Sequence, residues 1–136
     1  MDERPRILIV EDNSADVFLI RTAISSAGVD LEIDVLKDGE QAIQHFNEAG
    51  AESSVPCPVV VILDINLPKK DGGDVLRHIR KNSRCKESVV IVVSTSDTPG
   101  DRLEMAQLGA NGYFHKPSGY GDFMKLGDMV KGFLVP

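Results

Sequence analysis

The stretch Val59-Val60-Val61-Ile62-Leu63-Asp64 decides the fold of this chain. Its apolar residues form a run of strand length, rich in β-branched side chains that pack well on a pleated surface. No polar residue alternates with them, so both faces of the strand must be covered, as at the centre of a parallel sheet. Arg6-Ile7-Leu8-Ile9-Val10 and Val89-Val90-Ile91-Val92-Val93 are runs of the same character. Leu31 to Leu36 instead sets Leu31, Ile33 and Val35 against Glu32 and Asp34, the pattern of a half-exposed edge strand. Gly112-Tyr113-Phe114-His115 reads as a short strand stopped by Pro117.

Helical patterns fill the intervals. Asn13 and Ser14 are good N-cap residues, Leu19, Ile20, Ala23, Ile24 and Ala27 recur at helical spacing, and Gly28 suits the helix end. Ala42, Ile43, Phe46 and Ala49 mark a second helix, followed by a polar loop of small residues from Gly50 to Pro58. Gly72-Gly73 start a third helix with Val75, Leu76 and Ile79. Leu103, Ala106 and Ala110 follow Pro99, which is well placed near a helix start. Phe123, Leu126, Met129, Val130 and Phe133 form an amphipathic last helix. Five βα units of this kind predict an α/β fold, a parallel sheet with helices on both faces. No repeat, linker or low-complexity segment interrupts it, so residues 1–136 read as one domain.

Composition excludes several classes of function. Hydrophobic residues make up 42% of the chain, enough for a core, but Trp is absent and aromatics are only 5%. The core must therefore be aliphatic. The net charge of −6 argues against non-specific binding to nucleic acid or an anionic membrane. No apolar run approaches the roughly 20 residues of a membrane span. Met1-Asp2-Glu3-Arg4-Pro5 does not resemble a signal peptide, so a cytoplasmic location is expected. Cys57 and Cys85 fall in loops without metal-ligand spacing and are expected as reduced thiols.

Function is read at the strand ends. In an open parallel sheet, ligands bind outside the carboxyl ends of the strands, where strand order reverses. Strand one ends at Glu11-Asp12, strand three at Asp64, strand four at Ser94-Thr95-Ser96, and strand five at Lys116-Pro117. Lys37-Asp38-Gly39, after strand two, reads as a turn. Like charges about 4 Å apart at an effective dielectric near 20 repel by roughly 4 kcal/mol. Three converging carboxylates therefore call for positive charge, and Lys116 supplies only one. Mg2+, a hard cation that takes one or two carboxylates with water and phosphate oxygens, would balance the rest. An aspartate can then attack phosphorus, with metal, ammonium and hydroxyl stabilising the phosphoryl oxygens.

Glu11-Asp12, Asp64, Ser94, Tyr113 and Lys116-Pro117 together resemble the signature of two-component response-regulator receiver domains of the CheY-like type. The resemblance runs from about Arg6 to Phe133 and implies a doubly wound sheet of order 2-1-3-4-5 with five helices, the flavodoxin-like receiver fold. It implies that Glu11 and Asp12 bind Mg2+, Asp12 directly, and that Asp64 is both metal ligand and phosphoacceptor. The backbone carbonyl of Asn66 would complete the protein ligands, Ser94 and Lys116 would hold the phosphoryl group, and Tyr113 would be an aromatic switch coupled to Ser94. A sensor histidine kinase is the implied phosphodonor, with a histidine phosphotransfer protein or a downstream protein target as further partners. Such a protein is a signalling phosphoacceptor that catalyses its own transfer and slow dephosphorylation, not a turnover enzyme. The Gly50–Pro58 loop and the Leu67-Pro68-Lys69-Lys70-Asp71-Gly72 run resemble small single-domain receivers that serve phytochrome-type kinases. Those often form homodimers, which the apolar last helix allows. No output domain is seen after Phe133, so signalling through protein contacts is expected.

Departures from the pattern and rival readings complete the picture. Glu11 stands where Asp is commoner, Ser94 where Thr is commoner, and Thr95 where Ala is frequent, with the prospect of crowding the phosphoryl pocket. Ser118-Gly119 replaces a usual apolar residue. Taken singly, Glu11 and Asp12 could be helix N-terminal acids, Asp64 a turn residue, the Ser94-Thr95-Ser96 hydroxyls caps, and Tyr113 simple packing. His45, His78 and His115 share no ligand spacing, and the Lys69-Lys70 and Arg77, Arg80, Lys81, Arg84, Lys86 groups read as a solvated face. A phosphatase with an aspartate nucleophile would need a second acid, which Asp64-Ile65-Asn66 lacks. A flavodoxin-like cofactor binder would not place Glu11-Asp12 beside a phosphate. A degenerate receiver acting only as an interaction module would be missing some of these residues.

Overall fold

The computed structural model describes residues 5–51, 56–81 and 84–134. Along the chain run β1 (Arg6–Val10), α1 (Ser14–Ser26), β2 (Glu32–Leu36), α2 (Gly39–Ala51), β3 (Val60–Asp64), α3 (Gly72–Lys81), β4 (Val89–Ser94), α4 (Pro99–Gln107), β5 (Gly112–His115), α5 (Tyr120–Phe123) and α6 (Lys125–Leu134). The five strands form one sheet of order β2-β1-β3-β4-β5, every pair parallel. β3 is buried along its whole length, as its unbroken apolar run requires, and the alternating β2 lies at the edge. Across that edge the Arg6 guanidinium donates to Asp34 and holds its carboxyl below the usual range.

Period-two alternation divides the core into two layers. Leu8, Val10, Val61, Leu63, Val90 and Val92 face Phe46 of α2, Val75, Leu76 and Ile79 of α3, and Met105 of α4. Ile7, Ile9, Val60, Ile62, Ile91 and Val93 face Ile20, Ala23 and Ile24 of α1, Phe123 of α5, and Leu126 and Val130 of α6. The expected fifth helix is present as two segments, because the chain turns at Met124, where the Gly127 N–H bonds back to its carbonyl. Gly127 then lies so close to α1 that a Cβ would sit 2.0 Å from the Ala23 carbonyl oxygen. Of the expected Gly50–Pro58 loop, residues 50 and 51 complete α2 and 52–55 lie outside the described residues.

Two expectations fail. Cys57 and Cys85 are not free thiols but form a disulfide, with Cα atoms 5.4 Å apart. They precede β3 and β4, and the Val60↔Val89 register of those strands brings the two entry loops side by side. The basic group is also not wholly a solvated face. The half-buried Arg80 guanidinium donates to the carbonyls of Lys86, Ser88 and Gly109 and to Asn111 Oδ1. Asn111 Oδ1 also accepts from the Val90 N–H, so Arg80 ties α3 to the chain entering β4 and β5. Arg84 donates to the Ala49 carbonyl at the end of α2.

Candidate functional site

The order β2-β1-β3 means that the chain leaves β1 to one side and returns on the other, opening a crevice above the carboxyl ends of β1 and β3. Asp64 is the last residue of β3, Glu11 and Asp12 follow β1, Ser94 ends β4, and Lys116 follows β5. Backbone ladders carry these ends past the strands proper. The Glu11 N–H donates to the Leu36 carbonyl, that of Ile65 to Val93, and that of Lys116 to Ser94 at 2.7 Å.

The carboxylates of Glu11, Asp12 and Asp64 each offer an oxygen within 4.8 Å of the others. Glu11 is 1% and Asp64 5% exposed, whereas Asp12 is open to solvent. Burial raises the Glu11 carboxyl to about 7, with the neighbouring Asp64 adding to the rise and Lys116 opposing it. Hard oxygen donors at this spacing, two of them nearly without water, suit a small divalent cation.

Lys116 Nζ lies 2.8 Å from Glu11 Oε1, 2.9 Å from Asp16 Oδ2 and 3.2 Å from Asp64 Oδ2. Burial works against its ammonium, but the bonds to Glu11 and Asp16 carry its pKa above the ordinary lysine value. The other Asp64 oxygen, Oδ1, accepts from the Asn66 N–H at 3.0 Å. Asn66 sits in the loop to α3, which is drawn tight where the Gly72 N–H bonds the Ile65 carbonyl at 2.8 Å. A Cβ on Gly72 would lie 2.6 Å from the Asp64 carbonyl oxygen, so this position needs glycine.

Ser94 is fully buried, and its Oγ accepts from the Ser96 N–H at 2.9 Å. The helix cap beyond it is Thr98, so the Ser94 hydroxyl is not consumed in capping α4. Thr95 points to solvent. Half-buried Tyr113 donates its hydroxyl to the Ser96 carbonyl at 2.9 Å, and the Arg102 guanidinium lies 4.6 Å above its ring. Arg102 is held in turn by Asp97. His45, His78 and His115 stand apart from the carboxylate cluster, with His78 against Asn47 and His115 against the Thr95 carbonyl.

Sequence reasoning did not single out Asp16 or Arg102. Asp16 lies four residues after Asp12, in the first turn of the helix that follows β1, and that was its available signal. Arg102 had none, because its partner Tyr113 is on another element.

Known proteins share this fold and part of the sequence. The family profile described as the response regulator receiver domain matches residues 7–127. Response regulator Rcp1 of Synechocystis sp. is 34% identical over 127 residues, covering 93% of this chain and 86% of its own. A solved structure of the phosphorylated cyanobacterial phytochrome response regulator RcpA superposes with a TM-score of 0.84 at 32% identity, over 96% of this chain and 93% of that one. The Mn(2+)-bound form of Rcp1 superposes with a TM-score of 0.83 at 33% identity, over 96% and 94% of the two chains.

Proposed function

This chain belongs to the response regulator receiver domain family of two-component signalling proteins, and we propose that Asp64 is its phosphoacceptor. The observation that carries the proposal is the buried Asp64 carboxylate, 3.2 Å from Lys116 Nζ and clustered with Glu11 and Asp12. Residues 1–136 act in this reading as one receiver domain. Glu11, Asp12, Asp64 and the backbone carbonyl of Asn66 would hold Mg2+. The similarity to an Mn(2+)-bound Rcp1 supports a divalent cation here. When bound, Mg2+ supplies positive charge against the phosphoryl oxygens.

The chain's own residues do the rest. A carboxylate oxygen of Asp64 attacks the phosphorus of phosphohistidine on a sensor histidine kinase. The new P–O bond forms as the P–N bond breaks, and the electron pair leaves with the imidazole of the donor. Lys116 then shares its protons with the phosphoryl oxygens, and the Ser94 hydroxyl, released from Ser96, donates to another. Withdrawing Ser94 Oγ from the Ser96 N–H loosens the segment whose carbonyl holds Tyr113, so phosphorylation of Asp64 biases the pose of the Tyr113 switch.

The reading is of a signalling phosphoacceptor in the cytoplasm, with slow self-catalysed dephosphorylation. Its output passes to a histidine phosphotransfer protein, a downstream protein target or a second copy in a homodimer. No described helix is long and apolar enough to cross a membrane. Similarity to RcpA supports a phytochrome-type kinase as the donor. Acetyl phosphate with Mg2+ should add the mass of one phosphoryl group to the wild type and none to Asp64→Asn. Equal gain by both proteins, or gain by neither, would exclude Asp64 as the acceptor.

A further inference from the structure

An ammonium group has three N–H donors, and on Lys116 each faces a carboxylate: Glu11 at 2.8 Å, Asp16 at 2.9 Å and Asp64 at 3.2 Å. Two of these acceptors belong to the cluster able to hold a cation, but Asp16 does not. That difference separates their roles. A divalent cation bound by Glu11 and Asp64 would compete with Lys116 for their oxygens and repel its charge at short range. Asp16 alone would keep its oxygens for the lysine.

The placement of Asp16 suits this task. It stands in the first turn of α1, whose start is fixed by Asn13 Oδ1 accepting from the N–H groups of Ala15 and Asp16. Ile20, Ala23 and Ile24 anchor the same helix on the sheet. The Lys116 side chain is 9% exposed, so water offers little replacement for a lost acceptor. We propose that Asp16 is a positioning residue that keeps the Lys116 ammonium over Asp64 while the metal engages Glu11 and Asp64. The proposal rests on the reading of Asp64 as phosphoacceptor, and its test has an arm that does not.

That arm is brief acylation of lysine amines in saturating Mg2+, followed by mass spectrometry of the Lys116 peptide. Asp16→Ala should raise labelling of Lys116 about fivefold over wild type, and Asp16→Glu should restore protection. Unchanged labelling overturns the proposal, whether or not the protein accepts phosphate. The second arm measures phosphorylation by acetyl phosphate. Asp16→Ala should slow it about tenfold, and Asp16→Glu should recover most of the rate. In a Lys116→Ala background, Asp16→Ala should change the rate less than about twofold, because its effect passes through the lysine. An equal loss in both backgrounds would make Asp16 merely structural. A loss of Mg2+ affinity matching that of Asp12→Ala would make it a metal ligand, and either result overturns the proposal. A wild type that gains no phosphoryl group on Asp64 would instead sink the underlying reading, with the labelling arm still deciding on Asp16.

Discussion

Glu11 and Asp12 are neighbours in sequence and opposites in environment. Glu11 is sealed under the crevice while Asp12 faces water. The buried Glu11 carboxyl is lifted to about 7, chiefly by loss of hydration. Between its ordinary value of 4.5 and about 7, the folded protein holds a proton that the unfolded chain has released. This contribution to stability is therefore complete below 4.5 and is lost as pH rises through about 7. Lys116, whose pKa is raised above 10.5, contributes at all of these pH values and fades only in alkali. Urea unfolding of the metal-free protein should show stability falling by up to about 3 kcal/mol from pH 5 to 8. Glu11→Gln should flatten most of that slope. A mutant profile parallel to the wild type would assign the slope to another group. At this scale the sequence pointed to acids that the fold brings together, but not to which would be buried, since burial depends on elements far along the chain.

At the scale of elements, connections matter more than strands. The strands follow from composition and alternation, and the register of β1, β3 and β4 places their acid and hydroxyl ends together. The entry loops at the opposite end of the sheet were not legible. A separation of 28 residues between Cys57 and Cys85 says nothing of proximity, yet parallel neighbours β3 and β4 set their entry points side by side. Closing a loop of that length restricts the unfolded chain, a stabilisation of about 3–4 kcal/mol in the chain-entropy account. Denaturant unfolding with and without reductant should differ by roughly that amount, and Cys85→Ser should remove the difference. Coincident curves for the wild type would mean that the pair does not form in solution. Arg80 belongs to the same scale: its carbonyl partners lie on loops that only the packed sheet brings around α3.

For the whole molecule, the sheet's topology converts dispersed residues into one acidic site. With a net charge of −6 and three carboxylates converging at the carboxyl ends of β1 and β3, the fold concentrates repulsion where a cation would relieve it. A ligand that binds only the folded state stabilises it by about 2.7 kcal/mol at a hundredfold excess over its Kd. Thermal unfolding should therefore shift upward with Mg2+, and Asp12→Ala should abolish the shift while leaving the metal-free stability nearly unchanged, because Asp12 is exposed. A full shift in that mutant would take Asp12 out of the cation's ligands. Family membership extends over residues 7–127, and the relatives Rcp1 and RcpA share nearly the whole length of the chain.

The sequence by itself determined the class of fold, the number of strands, and the cluster of acids, hydroxyl and lysine at their ends. Those features are local: they depend on hydrophobic period and on which residue terminates each run, as Val59 through Asp64 shows. Tertiary structure alone decided that Asp16 joins Lys116, that Arg102 covers Tyr113, that Arg80 bridges two loops, and that Cys57 meets Cys85. Each pairs residues on different elements, and such contacts arise only after the sheet has brought distant parts of the chain within a few ångströms. Alternation along a strand tells which face a side chain takes, but its partner on that face is chosen by packing.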